Sequence, residues 1–240
     1  MAWLAPAMAL AAALYASVGH GGASVYIALM ALAGAAPETI RPSALMLNVL
    51  VAGVAAFQFA RARQFDLRLF LIVASAGVPA AFLSAKIDLP RQLFEPLLAI
   101  ALLAAALRYL AWPQLDGERP QRAAPILITV LAGAGLGALA GLTGIGGGVY
   151  LSPLLIFNGW ATPKQAAGVA AAFIVANSLA GLASRPDLFV NIPQTFPLMA
   201  LGVLAGAVAG TNLSLSRFTQ SRMVRALGLV LSLAAVALLI

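Results

Sequence analysis

The chain has 240 residues, of which 62% are hydrophobic and only 9% are charged. A soluble domain carries about 25% charged and about 45–50% apolar residues, so this chain has too few polar side chains to coat a water-exposed surface. The composition excludes a soluble enzyme and a disordered regulator, and it predicts an integral membrane protein. The net charge of +7 is scattered between apolar runs, which is typical of membrane-protein loops and not of nucleic-acid binding.

The few reactive side chains argue against catalysis. The chain has no Cys, one His and seven Asp or Glu residues, all seven near segment ends. A disulfide framework, a thiol nucleophile and a Cys-based metal site are therefore excluded. We expect no metal, no cofactor and no enzymatic activity.

Charge-free stretches predict the membrane segments in chain order. The first half, residues 1–111, is predicted to contain apolar arms at 4–18 and 24–36 and spans at 43–60, 67–85 and 93–111. A polar linker follows at 112–122 (WPQLDGERPQR). The second half, residues 123–240, is predicted to contain arms at 123–142 and 148–160 and spans at 165–184, 194–213 and 223–240. The second arm of each pair, with about 13 residues, is too short to cross a hydrocarbon core of about 30 Å.

The two halves are predicted to be repeats. A shift of 125 aligns Gly19, Gly21 and Gly22 with Gly144, Gly146 and Gly147, and Gly34 with Gly159. Glycine-interrupted apolar segments at corresponding positions of two repeats indicate a transporter binding site. Asn48 and Asn177, polar groups in mid-segment, align only with a three-residue gap.

Two topologies fit this pattern. If each broken pair is one discontinuous span, each half crosses the membrane four times and the repeats are parallel. If each pair is a hairpin that enters and returns, each half crosses three times and the repeats are inverted. The basic residues divide seven to seven in the first case and ten to four in the second. The positive-inside rule favours the inverted arrangement with both termini outside, although two full crossings per pair have the same parity.

The two glycine clusters, 17–24 (SVGHGGAS) and 142–148 (LTGIGGG), are predicted to bind an anion. Each precedes a short helix whose first turn has free N–H groups and the positive end of the helix dipole. Such a helix start binds anions through the backbone alone, and glycine allows the ligand to approach closely. No Lys or Arg lies in either cluster.

Other glycines are predicted to pack helices. Gly133, Gly137 and Gly141, and likewise Gly202, Gly206 and Gly210, recur every four residues. Such small-residue faces allow membrane helices to approach closely.

The paired motifs SVGHGGAS (17–24) and GLTGIGGGVYLSPLL (141–155) resemble those of the TauE/SafE family of sulfite and organosulfur anion exporters. Each is followed by a Gly/Pro loop and a helix with a polar centre, at 41–53 and 166–181. The resemblance extends over nearly the whole chain. It implies a transporter for a small sulfur-containing or carboxylated anion, with the glycine motifs and the Asn-bearing helices near the pathway.

The sequence thus predicts an all-α polytopic protein of the bacterial inner membrane that transports, and more specifically exports, a small anion such as sulfite, thiosulfate, a sulfonate or a small carboxylate. The anion is predicted to bind near the membrane midplane. The alternatives are proton-coupled uptake through His20, which can gain a proton near neutral pH, and an intramembrane enzyme. The candidate substrate-binding residues are Gly19, His20, Gly21, Gly22, Ser24, Asn48, Thr143, Gly144, Gly146, Gly147, Gly148, Asn177 and Ser178.

Overall fold

The computed structural model describes residues 3–87, 122–186 and 192–216, together with the single helical positions Ile100, Leu103, Leu107 and Ser232. The secondary structure of these residues is helical, with no strand. The helices are α1 (Leu4–Ser17), α2 (Ala23–Leu32), α3 (Pro37–Arg61), α4 (Leu67–Ser84), α5 (Ile126–Thr143), α6 (Gly148–Phe157), α7 (Pro163–Ser184) and α8 (Phe196–Ser216).

Five of these helices, α3, α4, α5, α7 and α8, are long and apolar enough to cross a membrane. The helices α1, α2 and α6 have only 14, 10 and 10 residues. A ten-residue helix is about 15 Å long, which is half of a hydrocarbon core of about 30 Å. The prediction of an all-α polytopic membrane protein is therefore confirmed, and short helices stand where the short arms were predicted.

The long central helices begin earlier than the predicted spans. Pro37 and Pro163 occupy the first positions of α3 and α7, where a fixed φ suits the helix and no N–H is needed. Thr162 and Gln165 add a capping box at the start of α7, which satisfies two further backbone donors.

The short helices α2 and α6 end before the predicted arms do. Their last residues are Leu32 and Phe157, whereas the arms were predicted to reach residues 36 and 160. The chain turns after them at Gly34 and Gly159, whose φ angles are 74° and 69°. This left-handed conformation commonly ends a helix.

The helices α3 and α7 lie side by side and run antiparallel. A Cβ on Gly168, near the start of α7, would lie 3.2 Å from the Cβ of Phe59, near the end of α3. A Cβ on Gly181, near the end of α7, would lie 3.6 Å from Cδ1 of Leu45, near the start of α3. An antiparallel pair is what the hairpin topology requires, because the four-crossing topology makes these two helices parallel.

The chain folds back between α5 and α6. A Cβ on Gly147 would lie 2.9 Å from the carbonyl oxygen of Leu136, so the chain has turned back along α5 before α6 begins. The backbone N–H of Arg122, just before α5, donates to the carbonyl oxygen of Gly159, just after α6, at 2.8 Å. This helix pair therefore starts and ends on the same side of the bundle, which again favours the hairpin topology.

Two glycine faces hold the outer helices together. Cβ positions on Gly133, Gly137 and Gly141 of α5 fall against the carbonyl groups of Val73, Gly77 and Ala81 of α4, and those on Gly202, Gly206 and Gly210 of α8 fall against Ala5, Ala9 and Ala13 of α1. Both pairs run parallel, and each joins the first helix of one predicted half to a long helix of the other. These glycines thus allow the close helix contacts that the sequence predicts for them.

Some sequence predictions fall outside the described residues. The spans 93–111 and 223–240 are described only at the single positions given above, and the linker 112–122 only at Arg122. The division into repeats 1–111 and 123–240 stays a prediction.

Candidate functional site

Asn48 joins the two glycine clusters. Its Oδ1 accepts from the backbone N–H of Ala23, the first residue of α2, at 3.0 Å. Its Nδ2 donates to the carbonyl oxygen of Ile145, inside the second cluster, at 3.1 Å. Asn48 is fully buried and lies in the middle of α3. The two clusters, far apart in sequence, therefore meet across one side chain near the centre of the bundle.

His20 makes a second connection between the clusters. Its Nε2 lies 3.1 Å from the carbonyl oxygen of Gly148, the first residue of α6. The side chain is 1% exposed. The only histidine of the chain thus reaches from the start of one short helix to the start of the other.

Gly22 and Gly147 occupy the same position in the two clusters, directly before α2 and α6. Both are N-cap residues in the left-handed region, with φ of 89° and 74°. Because a side chain strains this conformation, glycine is required at both positions. The shift of 125 in the predicted repeat relates these two positions.

Asn48 has an apolar counterpart in the second half. A shift of 126 relates Asn48 to Ile174. A Cβ on Gly21 would meet Oδ1 of Asn48 and would lie 3.2 Å from Cγ2 of Ile174, while one on Gly146 would lie 2.9 Å from Cγ2 of Ile174 and 3.1 Å from Nδ2 of Asn48. In the predicted repeat, the position that corresponds to Asn48 is therefore Ile174 rather than Asn177.

This difference makes the two helix starts chemically unequal. The prediction of free N–H groups at the start of α2 is wrong at Ala23, because Asn48 accepts its hydrogen bond. At the start of α6, the Cβ position of Gly148 falls against the side chain of Ile174, which has no acceptor to offer. Of these two equivalent side chains, only Asn48 caps a short helix.

Arg41 is a basic residue beside the second cluster that the sequence did not reveal. Its guanidinium donates to the carbonyl oxygens of Gly141 at 2.6 Å and Ala85 at 3.3 Å. A Cβ on Gly144 would lie 3.4 Å from Cγ of Arg41. A cation is well placed at the end of α5, where the helix dipole is negative. It also adds positive charge next to a cluster that has no cation of its own.

Two further candidates lie against the second cluster. Thr143 Oγ1 donates to the carbonyl oxygen of Leu139 at 2.7 Å and accepts from the N–H of Ile145 at 3.4 Å. Asn177 Nδ2 donates to the carbonyl oxygen of Gly146 at 3.4 Å. Thr143 thus supports the backbone of the cluster, while the long contact of Asn177 holds it only weakly.

The remaining candidates have different surroundings. The hydroxyls of Ser24 and Tyr15 hydrogen-bond at 2.9 Å, and a Cβ on Gly19 would meet the backbone of Ala167. Ser178 is fully buried, and its Oγ has no hydrogen-bond partner among the described residues. The structure thus brings the candidates of both clusters and Asn48 together, with Asn177 at the edge, whereas no described contact joins Ser178 to either cluster.

The candidate residues that the structure describes offer hydrogen-bond donors but do not form a set of metal ligands. Among residues 3–87, 122–186 and 192–216, no three His, Asp or Glu side chains form a group that could hold a metal ion. Backbone amides, neutral amide side chains and hydroxyls can bind an anion and release it again, which is what a transport site requires.

Replacing Asn48 by Ala should destabilise the bundle. The change leaves the N–H of Ala23 and the carbonyl of Ile145 without their partner, and each unsatisfied buried group costs roughly 1–3 kcal/mol. We expect the melting temperature of the detergent-solubilised protein to fall more in Asn48→Ala than in Asn177→Ala, the matched control, which loses one long hydrogen bond. An equal or smaller fall in Asn48→Ala would mean that Asn48 does not hold the clusters together.

The similarity of the chain to known protein families shows which family it belongs to. The family model "Sulfite exporter TauE/SafE" matches residues 4–238. This chain belongs to the TauE/SafE family. The match extends from α1 through α8 and beyond, so membership rests on the whole membrane domain, and the resemblance seen in the two glycine motifs is confirmed.

A curated relative has the name of a membrane transporter. The "Probable membrane transporter protein y4hK" of Sinorhizobium fredii (strain NBRC 101917 / NGR234) is 34% identical over 226 residues, which is 92% of this chain and 91% of the relative. No solved structure matches the chain significantly. Together with the five apolar helices, these similarities identify a multi-pass membrane transporter of the TauE/SafE family.

Proposed function

We propose that this TauE/SafE protein exports a small oxyanion, such as sulfite, thiosulfate, a sulfonate or a small carboxylate. The anion binds where the two glycine clusters meet. The observation that carries the proposal is the bridging of both clusters by Asn48, with hydrogen bonds to Ala23 and Ile145. Non-helical backbone within a membrane is tolerated only where it is buried in protein or lines a cavity. Two such segments meeting at one place are what a midplane site needs.

The proposed site comprises the cluster backbones and the side chains around them. Its residues are Gly19, His20, Gly21, Gly22, Ser24, Asn48, Thr143, Gly144, Gly146, Gly147, Gly148 and Asn177, with Ser178 further along α7. Because Asn48 caps α2, the N–H of Ala23 is not among the donors offered to the anion. Arg41, beside Gly144, supplies long-range positive charge.

Export agrees with the electrostatics of a cell that is negative inside. Moving one negative charge outward releases about 2.3 kcal/mol per 100 mV. A dianion would release about twice as much, so export needs no coupling ion.

We also propose that the protein is a transporter without enzymatic activity. The hydroxyl of Ser24, which could otherwise act as a nucleophile, hydrogen-bonds the hydroxyl of Tyr15 rather than a base among the described residues.

Counterflow in proteoliposomes tests this function. Vesicles containing the protein and loaded with unlabelled sulfite, thiosulfate, a sulfonate or a small carboxylate should accumulate the labelled form of the transported anion. Vesicles that are loaded with the same anion but lack the protein should not accumulate the label. Absence of counterflow with every one of these anions would contradict the proposed substrate class.

We propose an inverted topology with both termini outside and with the loop 61–68 and the linker 112–122 inside. The ten-to-four division of basic residues supports the orientation, and the antiparallel α3 and α7 support the inversion. In Leu115→Cys, the only thiol of the chain should react with an impermeant reagent from the inside alone. Labelling of this cysteine from outside would contradict the inverted arrangement.

Proton-coupled uptake is a second candidate function, favoured by the placement of His20. A buried imidazole that contacts the start of α6 can add or remove positive charge at the site. His20→Gln retains a side chain that can donate to Gly148 but removes the titration. If His20 couples protons, transport by this variant should lose its pH dependence between about pH 5 and pH 8. An unchanged pH profile together with a lower melting temperature would assign His20 a structural role only.

A further inference from the structure

Tyr26 places a hydroxyl group directly at the first glycine cluster. It lies in the first turn of α2, where side chains lean back towards the helix start. A Cβ on Gly22 would lie 2.7 Å from the hydroxyl oxygen of Tyr26, so the ring covers this glycine. Tyr26 is fully buried, and its hydroxyl has no hydrogen-bond partner among the described residues.

Tyr150 lies in the first turn of the other short helix, α6. It is the third residue of α6, and its buried hydroxyl likewise has no hydrogen-bond partner within the described part of the chain. Tyr15 of α1 supplies a further buried hydroxyl at the first glycine cluster. The hydroxyl of Tyr15 is itself held by Ser24 at 2.9 Å. The first turns of α2 and α6, each beginning at a glycine cluster, therefore both carry a buried hydroxyl without a partner among the described residues.

A buried hydroxyl without a partner is costly, particularly in a membrane, unless something accepts its hydrogen bond. An oxyanion has several acceptor oxygens and can take hydrogen bonds from donors on different helices at once. Hydrogen bonds to a charged acceptor are also stronger than those between neutral groups. An anion bound at the adjacent backbone would satisfy both hydroxyls.

We infer that Tyr26 and Tyr150 donate hydrogen bonds to the transported oxyanion and are specificity-determining residues of its site. This inference rests on the proposed function. The N–H of Ala23 at the start of α2 already donates to Asn48. In this inference the two tyrosine hydroxyls supply hydrogen-bond donors to the anion in its place. Neither tyrosine was among the candidates from sequence, because a tyrosine in an apolar helix is indistinguishable there from an ordinary core residue.

The test uses the full-length protein in detergent and measures binding of thiosulfate and of sulfite. Tyr26→Phe and Tyr150→Phe keep the ring and remove only the hydroxyl. We expect each change to raise the Kd for the bound anion about tenfold or more, and to reduce the anion-induced rise in melting temperature. The melting temperature without anion should not fall, because neither hydroxyl has a partner among the described residues. The matched control is Thr211→Val, which removes a buried hydroxyl that donates to its own helix at Ala207 and should leave the Kd unchanged.

Three results would contradict either the inference on the two tyrosines or the proposed function. If the wild-type protein binds an anion and both Phe variants bind it equally well, the inference is wrong, and the hydroxyls are satisfied by water or by other groups. An equal loss of affinity in Thr211→Val would also overturn it, since the effect would then not be local. If the wild-type protein neither binds nor transports sulfite, thiosulfate, a sulfonate or a small carboxylate, the proposed function itself falls, and the inference falls with it.

Discussion

Gly22→Val and Gly147→Val should both abolish transport. Each glycine is the N-cap of a short helix, with φ of 89° and 74°, a conformation that β-branched residues essentially do not adopt. The sequence suggested that a Cβ would keep the anion away from the backbone. The structure adds a stronger reason, because the Cβ would also collide with protein atoms at both positions.

The two variants should fail in different ways. At Gly22 the nearest atoms belong to the end of the Tyr26 ring, at 2.7 Å, and this side chain can move aside. At Gly147 the nearest atom is the backbone oxygen of Leu136, at 2.9 Å, which cannot move without displacing α5. We therefore expect folded but inactive protein from Gly22→Val and little folded protein from Gly147→Val.

Size-exclusion chromatography, followed by anion binding to the folded fraction, separates these effects. Folded Gly22→Val protein should bind the anion much more weakly than the wild type, because its helix start and Tyr26 are both displaced. If the folded fraction of either variant binds with wild-type affinity, the anion is not held at the glycine clusters.

Gly137→Val and Gly206→Val should cause large losses of stability. A Cβ on Gly137 would meet the backbone of Gly77 in α4, and one on Gly206 would meet the carbonyl of Ala9 in α1. Each helix pair would have to separate, so we expect a cost of about 3 kcal/mol or more in the free energy of unfolding. Transport should fall only in proportion to the folded protein that is lost.

Gly135 provides a matched control within α5. A Cβ on Gly135 would have no atom of the described chain within 4 Å. Gly135→Val should therefore leave the yield of folded protein and the melting temperature almost unchanged. If Gly135→Val destabilises the protein as much as Gly137→Val, the loss reflects valine in α5 in general and not the contact with α4.

The composition and the glycine spacing are sufficient to predict much of the fold. Short apolar arms that flank Gly22 and Gly147 predict the broken helix pairs, because the hydrocarbon core sets a minimum length for a span. The four-residue spacing from Gly133 to Gly141 predicts a packing face, because that spacing repeats on one side of a helix. These features are local in sequence, so the sequence alone can show them.

The composition of the site depends on contacts that no local pattern contains. Arg41 lies 100 residues from Gly141, and Asn48 lies 97 residues from Ile145. The hydrogen bond from Ala23 to Asn48 and the contact of Gly148 with Ile174 can be recognised only when the positions of α3 and α7 relative to the two pairs of helices are known. The start of α2, where the sequence predicts free N–H groups, is therefore already hydrogen-bonded at Ala23 by Asn48.

Anomalous diffraction from crystals grown with selenite, the selenium analogue of sulfite, would locate the bound anion. We expect a selenium peak where the two glycine clusters meet, between the start of α6 and the hydroxyls of Tyr26 and Tyr150. The same anion should compete with sulfite in counterflow. A peak elsewhere in the molecule, for a selenite ion that is transported in competition with sulfite, would contradict the placement of the site at the glycine clusters.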